Sequence, residues 1–385
     1  MTALDESVTE TVATAKRVGP WRLFFPSALL LAPLNVLLWL AARDGLIAPA
    51  GIESAAWHGA EMLFGYSFAV IAGFLLQPMR WPPLLLLWLA WLAGRLLWLV
   101  PEWPVTIRLT LAGAFPFVLA ALGAYRFAAV KRARNLPFPL ILVALGVAAV
   151  GAGSVQAGLL PAPGRDPVAL AVYVVVALIA LMGGRLVPTA TVGALRAQGL
   201  IVRIPPRPAL ELALLLALLA LALADAAGAQ RVAGFTALGL AALFVAQMRD
   251  WHGLRTLGDP EVWPLHAGFL WLTAGCVLTG LDRLGMLTLP DSGALHALSA
   301  GTIGTVTLVM MLRVTRHRAG GRVAPAVLLH GLHILFALAV ALRVAGGWML
   351  PGHRGLVLWW SAAAWLVVYV LAAALVIPAA RRAPV

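Results

Sequence analysis

Apolar residues fill this chain in long stretches, separated by short connections rich in proline, glycine or arginine. A helix crossing a hydrocarbon core of about 30 Å needs roughly 20 apolar residues, so each stretch reads as one membrane crossing. The pattern predicts helices at positions 21–42, 57–76, 84–99, 105–129, 136–157, 168–187, 209–226, 231–248, 263–284, 295–312, 323–344 and 355–377. Pro78, Pro82 and Pro83 are expected in the turn after the second helix, and Pro101 and Pro104 end the third. The longest polar connection of the second half lies at 249–261. The predicted fold is an all-α integral membrane protein, a bundle of about 12 transmembrane helices over 21–385, preceded by a polar tail at 1–20.

Composition narrows the class further. The chain is 62% hydrophobic and 11% charged, with a mean hydropathy of +0.94. A water-soluble domain of that balance would expose too much apolar surface, so the expected surroundings are a lipid bilayer. The net charge of +13 suggests nucleic acid at first sight, but the 28 Lys and Arg residues fall mostly in the short loops. Basic loops of that kind encode membrane topology, and no nucleic-acid partner is expected. If the N-terminus is cytoplasmic, the even-numbered helices end on the cytoplasmic side, where most of the basic residues then lie. Arg43, Arg165, Arg283 and Arg354 are among those left in the outer half. Both termini are therefore expected in the cytoplasm, and the stretch 1–20 reads as a cytoplasmic tail rather than a cleaved signal. Cys276 is the single cysteine, which rules out an intrachain disulfide and a cysteine-rich metal site.

Ionisable groups inside a membrane are costly, so each one in these runs needs a reason. His58 and Glu61 open the second helix three residues apart, on one helical face. An imidazole there can ligate haem iron or copper, with the carboxylate beside it as orienting group. The plain alternative is a wetted interfacial histidine. His296 opens the tenth helix at the same outer level, and His353 lies in the next outer loop. The inner side carries His252, His266 and His317, with His330 and His333 about two turns into the eleventh helix. Haem propionates favour arginine at the membrane boundary, and Arg185, Arg313 and Arg322 are placed for that; basic anchoring at the inner leaflet explains most such residues equally well. No Walker A, GxSxG, CxxCH or HExxH motif is present.

Several of these residues recur as a set. They are Trp21-Arg22-Leu23-Phe24-Phe25 before the first helix, Trp57-His58 with Glu61-Met62-Leu63-Phe64-Gly65, Gly183-Gly184-Arg185 with Pro188, and Leu265-His266. The longest is His296-Ala297-Leu298 with Gly301, Gly304, Met310, Met311, Arg313, His317 and Gly320. In this order the set resembles the NnrS family over nearly the whole chain. The resemblance implies a twelve-helix protein of the bacterial inner membrane, linked to nitric oxide response and tolerance, with haem b and copper as cofactors. It departs from the family at Ala60, where the family's W-H-x-H-E carries a second histidine, which puts copper in doubt. It departs also after the tenth helix, where Arg316-His317-Arg318-Ala319-Gly320-Gly321-Arg322 stands in place of the usual G-H-T-G-R, and at Arg381-Arg382, which lacks the acidic tail motif. By the same resemblance His58, His266, His296 and His317 are expected to bind cofactor, His58 and His296 as metal ligands, with Glu61 behind the metal and Arg185 at a propionate. The rival reading is a multi-pass transporter or proton-coupled carrier without a redox centre.

Overall fold

The computed structural model describes residues 17–47, 51–96, 99, 103–128, 135–161, 166–287, 289 and 292–383. Most of the tail expected at 1–20, the basic stretch 131–134, Arg165 and Asp291 lie outside the described residues. Among the described residues the chain forms twelve helices and no strand beyond one isolated bridge between Val18 and Met79. In order they are α1 (Trp21–Arg43), α2 (Ala55–Leu75), α3 (Trp81–Leu96), α4 (Val105–Ala128), α5 (Pro137–Gln156), α6 (Pro167–Ala197), α7 (Pro208–Ala226), α8 (Gln230–Met248), α9 (Trp263–Arg283), α10 (Gly293–Ala319), α11 (Ala326–Met349) and α12 (Pro351–Arg382). All but α3 are long and apolar enough to cross a membrane. This is a multi-pass helical membrane protein.

The helix set follows the apolar pattern closely, with two instructive differences. Pro82 and Pro83 sit in the first turn of α3 and not in the preceding loop. The first turn tolerates proline because its N–H groups have no intrahelical acceptor. Helix α6 passes through Pro188 and continues to Ala197, ten residues beyond its predicted end. A proline removes one hydrogen bond from a helix but does not end it where neighbouring helices hold both sides.

Neighbouring helices pack against one another along the chain, and α12 returns to α1. The Arg22 guanidinium donates to the Ala383 carbonyl at 2.7 Å, so both ends of the bundle's chain meet at one end of the molecule. That end, where α1 begins, is called proximal here; the end where α1 finishes is distal. Three helices form the centre: 67% of the apolar window is buried in α2, 67% in α6 and 72% in α10, against at most half in the other spans. The outer helices turn apolar side chains outward, as Leu212, Leu216, Leu219 and Leu223 do along one face of α7. Such a face is stable only against lipid.

Three segments leave α-helical geometry for the wider π-helix: Glu61–Ser67 in α2, Ala297–Gly304 in α10 and Leu342–Gly346 in α11. Such segments recur at functional sites, because the extra residue re-aims the side chains around it. Those of α10 and α11 lie in the distal half of their helices, and that of α2 runs from its distal half across the midpoint.

Candidate functional site

The distal cluster is assembled from α1, α2, α10 and α11. His58 precedes the π segment of α2 by three residues, and His296 adjoins that of α10. The His58 imidazole stacks on Trp39 of α1, with ring centroids 4.6 Å apart and planes 25° from parallel. Its Nδ1 lies 2.8 Å from Oδ1 of Asn35, a residue only 1% exposed. With that oxygen as acceptor, Nδ1 carries the proton and Nε2 keeps its lone pair. His296 repeats the arrangement: its Nδ1 lies 3.0 Å from the Ser292 carbonyl, which again leaves Nε2 with a lone pair. Ser292 itself adopts φ 61°, a left-handed conformation costly for a residue with a side chain.

His58 and His296 lie within electrostatic reach of each other, and both within reach of Arg343 in the π segment of α11. Gly293 allows that approach. A Cβ there would stand 2.7 Å from the Val344 carbonyl oxygen, so the first turn of α10 rests directly on the backbone beside Arg343. The Asn35 Nδ2 group is buried and has no hydrogen-bond partner among the described residues. His353 is exposed and does not complete a larger set; among the described residues no three His, Cys, Asp or Glu side chains gather to hold a metal.

Glu61 has another role than the one expected from its spacing. Its carboxylate accepts from Arg95 Nη1 of α3 at 3.0 Å, in a pair with side chains 5% and 10% exposed. Asn35 and not Glu61 orients His58. Ala60, the position of the family's second histidine, also faces away from the pair: it lines a cavity with Glu61 and Arg95. Two residues along a helix turn the side chain by about 200°, so a histidine at that position would not point where His58 points.

The proximal end holds the remaining candidates in separate places. Arg185 forks onto Glu211 of α7, with Nε to Oε1 at 3.1 Å and Nη2 to Oε2 at 2.9 Å, and Nη1 donates to Asn135 at 3.3 Å. Its carboxylate partner is therefore Glu211. Glu261 takes Arg316 at 2.7 Å and Arg313 at 3.9 Å, with the exposed His317 alongside. His266 is 9% exposed and its Nε2 lies 2.9 Å from the Thr191 hydroxyl of α6. That hydroxyl already donates to the Val187 carbonyl at 2.8 Å, so His266 Nε2 is the donor. Its Nδ1 faces Gly253, where a Cβ would come within 2.9 Å. On α11, His330 Nδ1 accepts from the Trp263 indole at 3.0 Å, and His333 is buried with no partner for Nδ1 among the described residues.

Between the two ends the bundle centre holds a directed chain. Thr307 donates to the Ile303 carbonyl at 2.5 Å, Tyr66 lies 2.7 Å from the Thr307 hydroxyl, and Tyr369 lies 2.9 Å from the Tyr66 hydroxyl. Sequence reasoning did not single out Asn35, Arg95, Arg343 or this tyrosine pair. Asn35 and Arg343 did carry a signal, since each is a lone polar residue inside an apolar run.

The class defined here is a multi-pass helical membrane protein with a histidine pair at the distal end of its central helices. A family model described as NnrS protein matches residues 18–383, and the chain belongs to the NnrS family. Membership links the protein to the response to nitric oxide. No curated protein and no solved structure was found to match the chain.

Proposed function

We propose that this protein binds haem b at its distal end through His58 and His296, and that it serves there to bind nitric oxide, as sensor or as scavenger. The observation that carries this reading is the matched pair of imidazoles. Each has Nδ1 held by an oxygen, Asn35 Oδ1 or the Ser292 carbonyl, and each keeps an Nε2 lone pair, with the Arg343 cation within electrostatic reach of both rings. A metal-ligating histidine usually donates its other ring N–H to such an oxygen, which fixes the tautomer and raises ligand basicity.

The donor set fits haem better than copper. Arg343 opposes a bare cation but suits a group that brings carboxylates of its own. Two imidazoles without a third ligand are also few for a divalent ion. Held by His58 and His296, a haem would supply iron with affinity for a diatomic gas. The chain's part is to hold the imidazoles neutral, to place Arg343 against negative charge, and to exclude water with Trp39 and the apolar helices. Nitric oxide is uncharged and enters from lipid without a polar channel. The unpartnered Asn35 Nδ2 supplies a donor close to the site. On this reading His266, His317 and Arg185 close the proximal end and hold no cofactor. We further place the protein in the bacterial inner membrane with both termini cytoplasmic.

The test is the visible spectrum of the purified protein. A Soret band that shifts when nitric oxide is added, and that falls by at least half in both His58→Ala and His296→Ala, is the expected result. Unchanged haem content in both variants would overturn the assignment. A colourless wild-type preparation would favour the proton-coupled carrier instead.

A further inference from the structure

The opposite flank of α2 lines a cavity of about 310 Å3, distinct from the histidine pair. Its walls come from α2, α4 and α5 and the first residues of α6, with Arg95 of α3 reaching in. Small side chains such as Ala60, Ala149 and Ala152 make much of the lining, and the Trp57 and Phe64 rings stand among them. Two groups on this wall lack something. Trp57 Nε1 and Arg95 Nε are both buried and have no acceptor among the described residues. Both are donors, and Arg95 Nη1 is committed to Glu61.

A buried donor without an acceptor is unfavourable, so the occupant that completes this site is an acceptor. Its charge is constrained as well. Glu61 neutralises Arg95, and Asp166 adds a second carboxylate to the lining. An anion would leave this apolar site with uncompensated negative charge. The remaining chemistry is a neutral carbonyl on an apolar body. Walls of alanine beside aromatic rings suit a flat ring more than a chain. We infer that this cavity binds the headgroup of a membrane quinone, its carbonyl oxygens accepting from Trp57 Nε1 and Arg95 Nε. A phospholipid ester offers the same carbonyl chemistry from another source, and the test separates the two. The inference does not use His58 or His296, so it stands or falls apart from haem binding.

The experiment uses the full-length protein in nanodiscs, once in ester-linked and once in ether-linked phosphatidylcholine. Decylubiquinone is titrated in and tryptophan quenching is followed. The expected result is a saturable component in both lipids, weakened several-fold by Trp57→Phe, which keeps the ring and removes the donor. Ala60→Leu, which fills the cavity, should abolish it; Ala152→Leu fills the same space from α5 and serves if the first variant does not fold. A saturable component seen only in ether-linked lipid would assign the site to a phospholipid ester and overturn the quinone. No saturable component in either lipid, or one that the filling variants leave unchanged, would overturn the site itself.

Discussion

A methyl group on Gly293 would lie 2.7 Å from the Val344 carbonyl oxygen, closer than real side chains come to backbone. Gly293→Ala must therefore push the first turn of α10 away from the Arg343 segment, at a cost of about 1–3 kcal/mol typical of overpacking. We expect this variant to lose haem in proportion to His296→Ala while still inserting in the membrane; full haem retention would show that the His296–Arg343 approach is not needed. The proximal histidines call for the opposite outcome. His266 spends Nε2 on Thr191 and has Nδ1 against Gly253, so His266→Ala should lower the melting temperature and keep haem, whereas the exposed His317→Ala should change neither much. Haem lost from His266→Ala with the fold intact would make it a ligand. At this scale the sequence singled out His58 and His296, because a histidine at the start of an apolar run has few plain explanations. It misled at Glu61, because the i, i+3 rule assumes a uniform α-helix, and the π segment begins at that residue beside an arginine from another helix. Asn35 stood in view as a polar residue in an apolar run, yet its partner on α2 could be known only from packing.

At the scale of elements, hydropathy located the helices but could not rank them. α6 and α12 share a mean hydropathy of 2.3 in their most apolar windows, yet 67% of that window is buried in one and 39% in the other. Lipid and protein interior are equally apolar, so a membrane helix carries little sign of which of them it faces. The central position of α2, α6 and α10 was therefore hidden, although His58, Arg185 and His296 all lie on these three. The π segments were hidden too, since they arise from packing and not from a residue type. They give an element-scale prediction. Deleting Ala300 from Ala297–Gly304 should restore α-helical phase, and each residue removed turns the preceding part of the helix by about 100°. His296 would then leave Arg343 while Thr307 keeps its place. The expected outcome is a membrane-inserted protein with haem content as low as in His296→Ala. Haem retained at the wild-type level would mean that the wide turn does not aim His296.

At the scale of the whole molecule, each end of the bundle faces its own compartment. The Arg22–Ala383 hydrogen bond brings residues near both termini to the proximal end, which fits an even number of crossings. The structure of a bundle alone does not orient it; loop charge does. The proximal end carries Arg80, Arg196, Arg203, Arg207, Arg249, Arg255, Arg316, Arg318 and Arg322 in or beside its connections. Several of them are held in place: Arg207 pairs with Asp250 and donates to the Ala246 carbonyl at 2.7 Å, and Arg316 pairs with Glu261 at 2.7 Å. At the distal end the arginines are fewer and more often turned inward, as in the Arg283–Asp225 pair at 2.7 Å, with side chains 7% and 0% exposed. Arginine consumed in a buried pair contributes less to orientation than one free to meet anionic headgroups. The proximal end should therefore face the cytoplasm. Reporter fusions after Arg132 and after Arg382 should both report cytoplasm, and fusions near Arg165 and Asp291 should report the outside. That orientation sets the histidine pair and Arg343 near the outer leaflet, where nitric oxide arriving from outside the cell would meet them first. A C-terminal fusion active only outside the cytoplasm would invert the molecule, and would place the histidine pair against the cytoplasm instead.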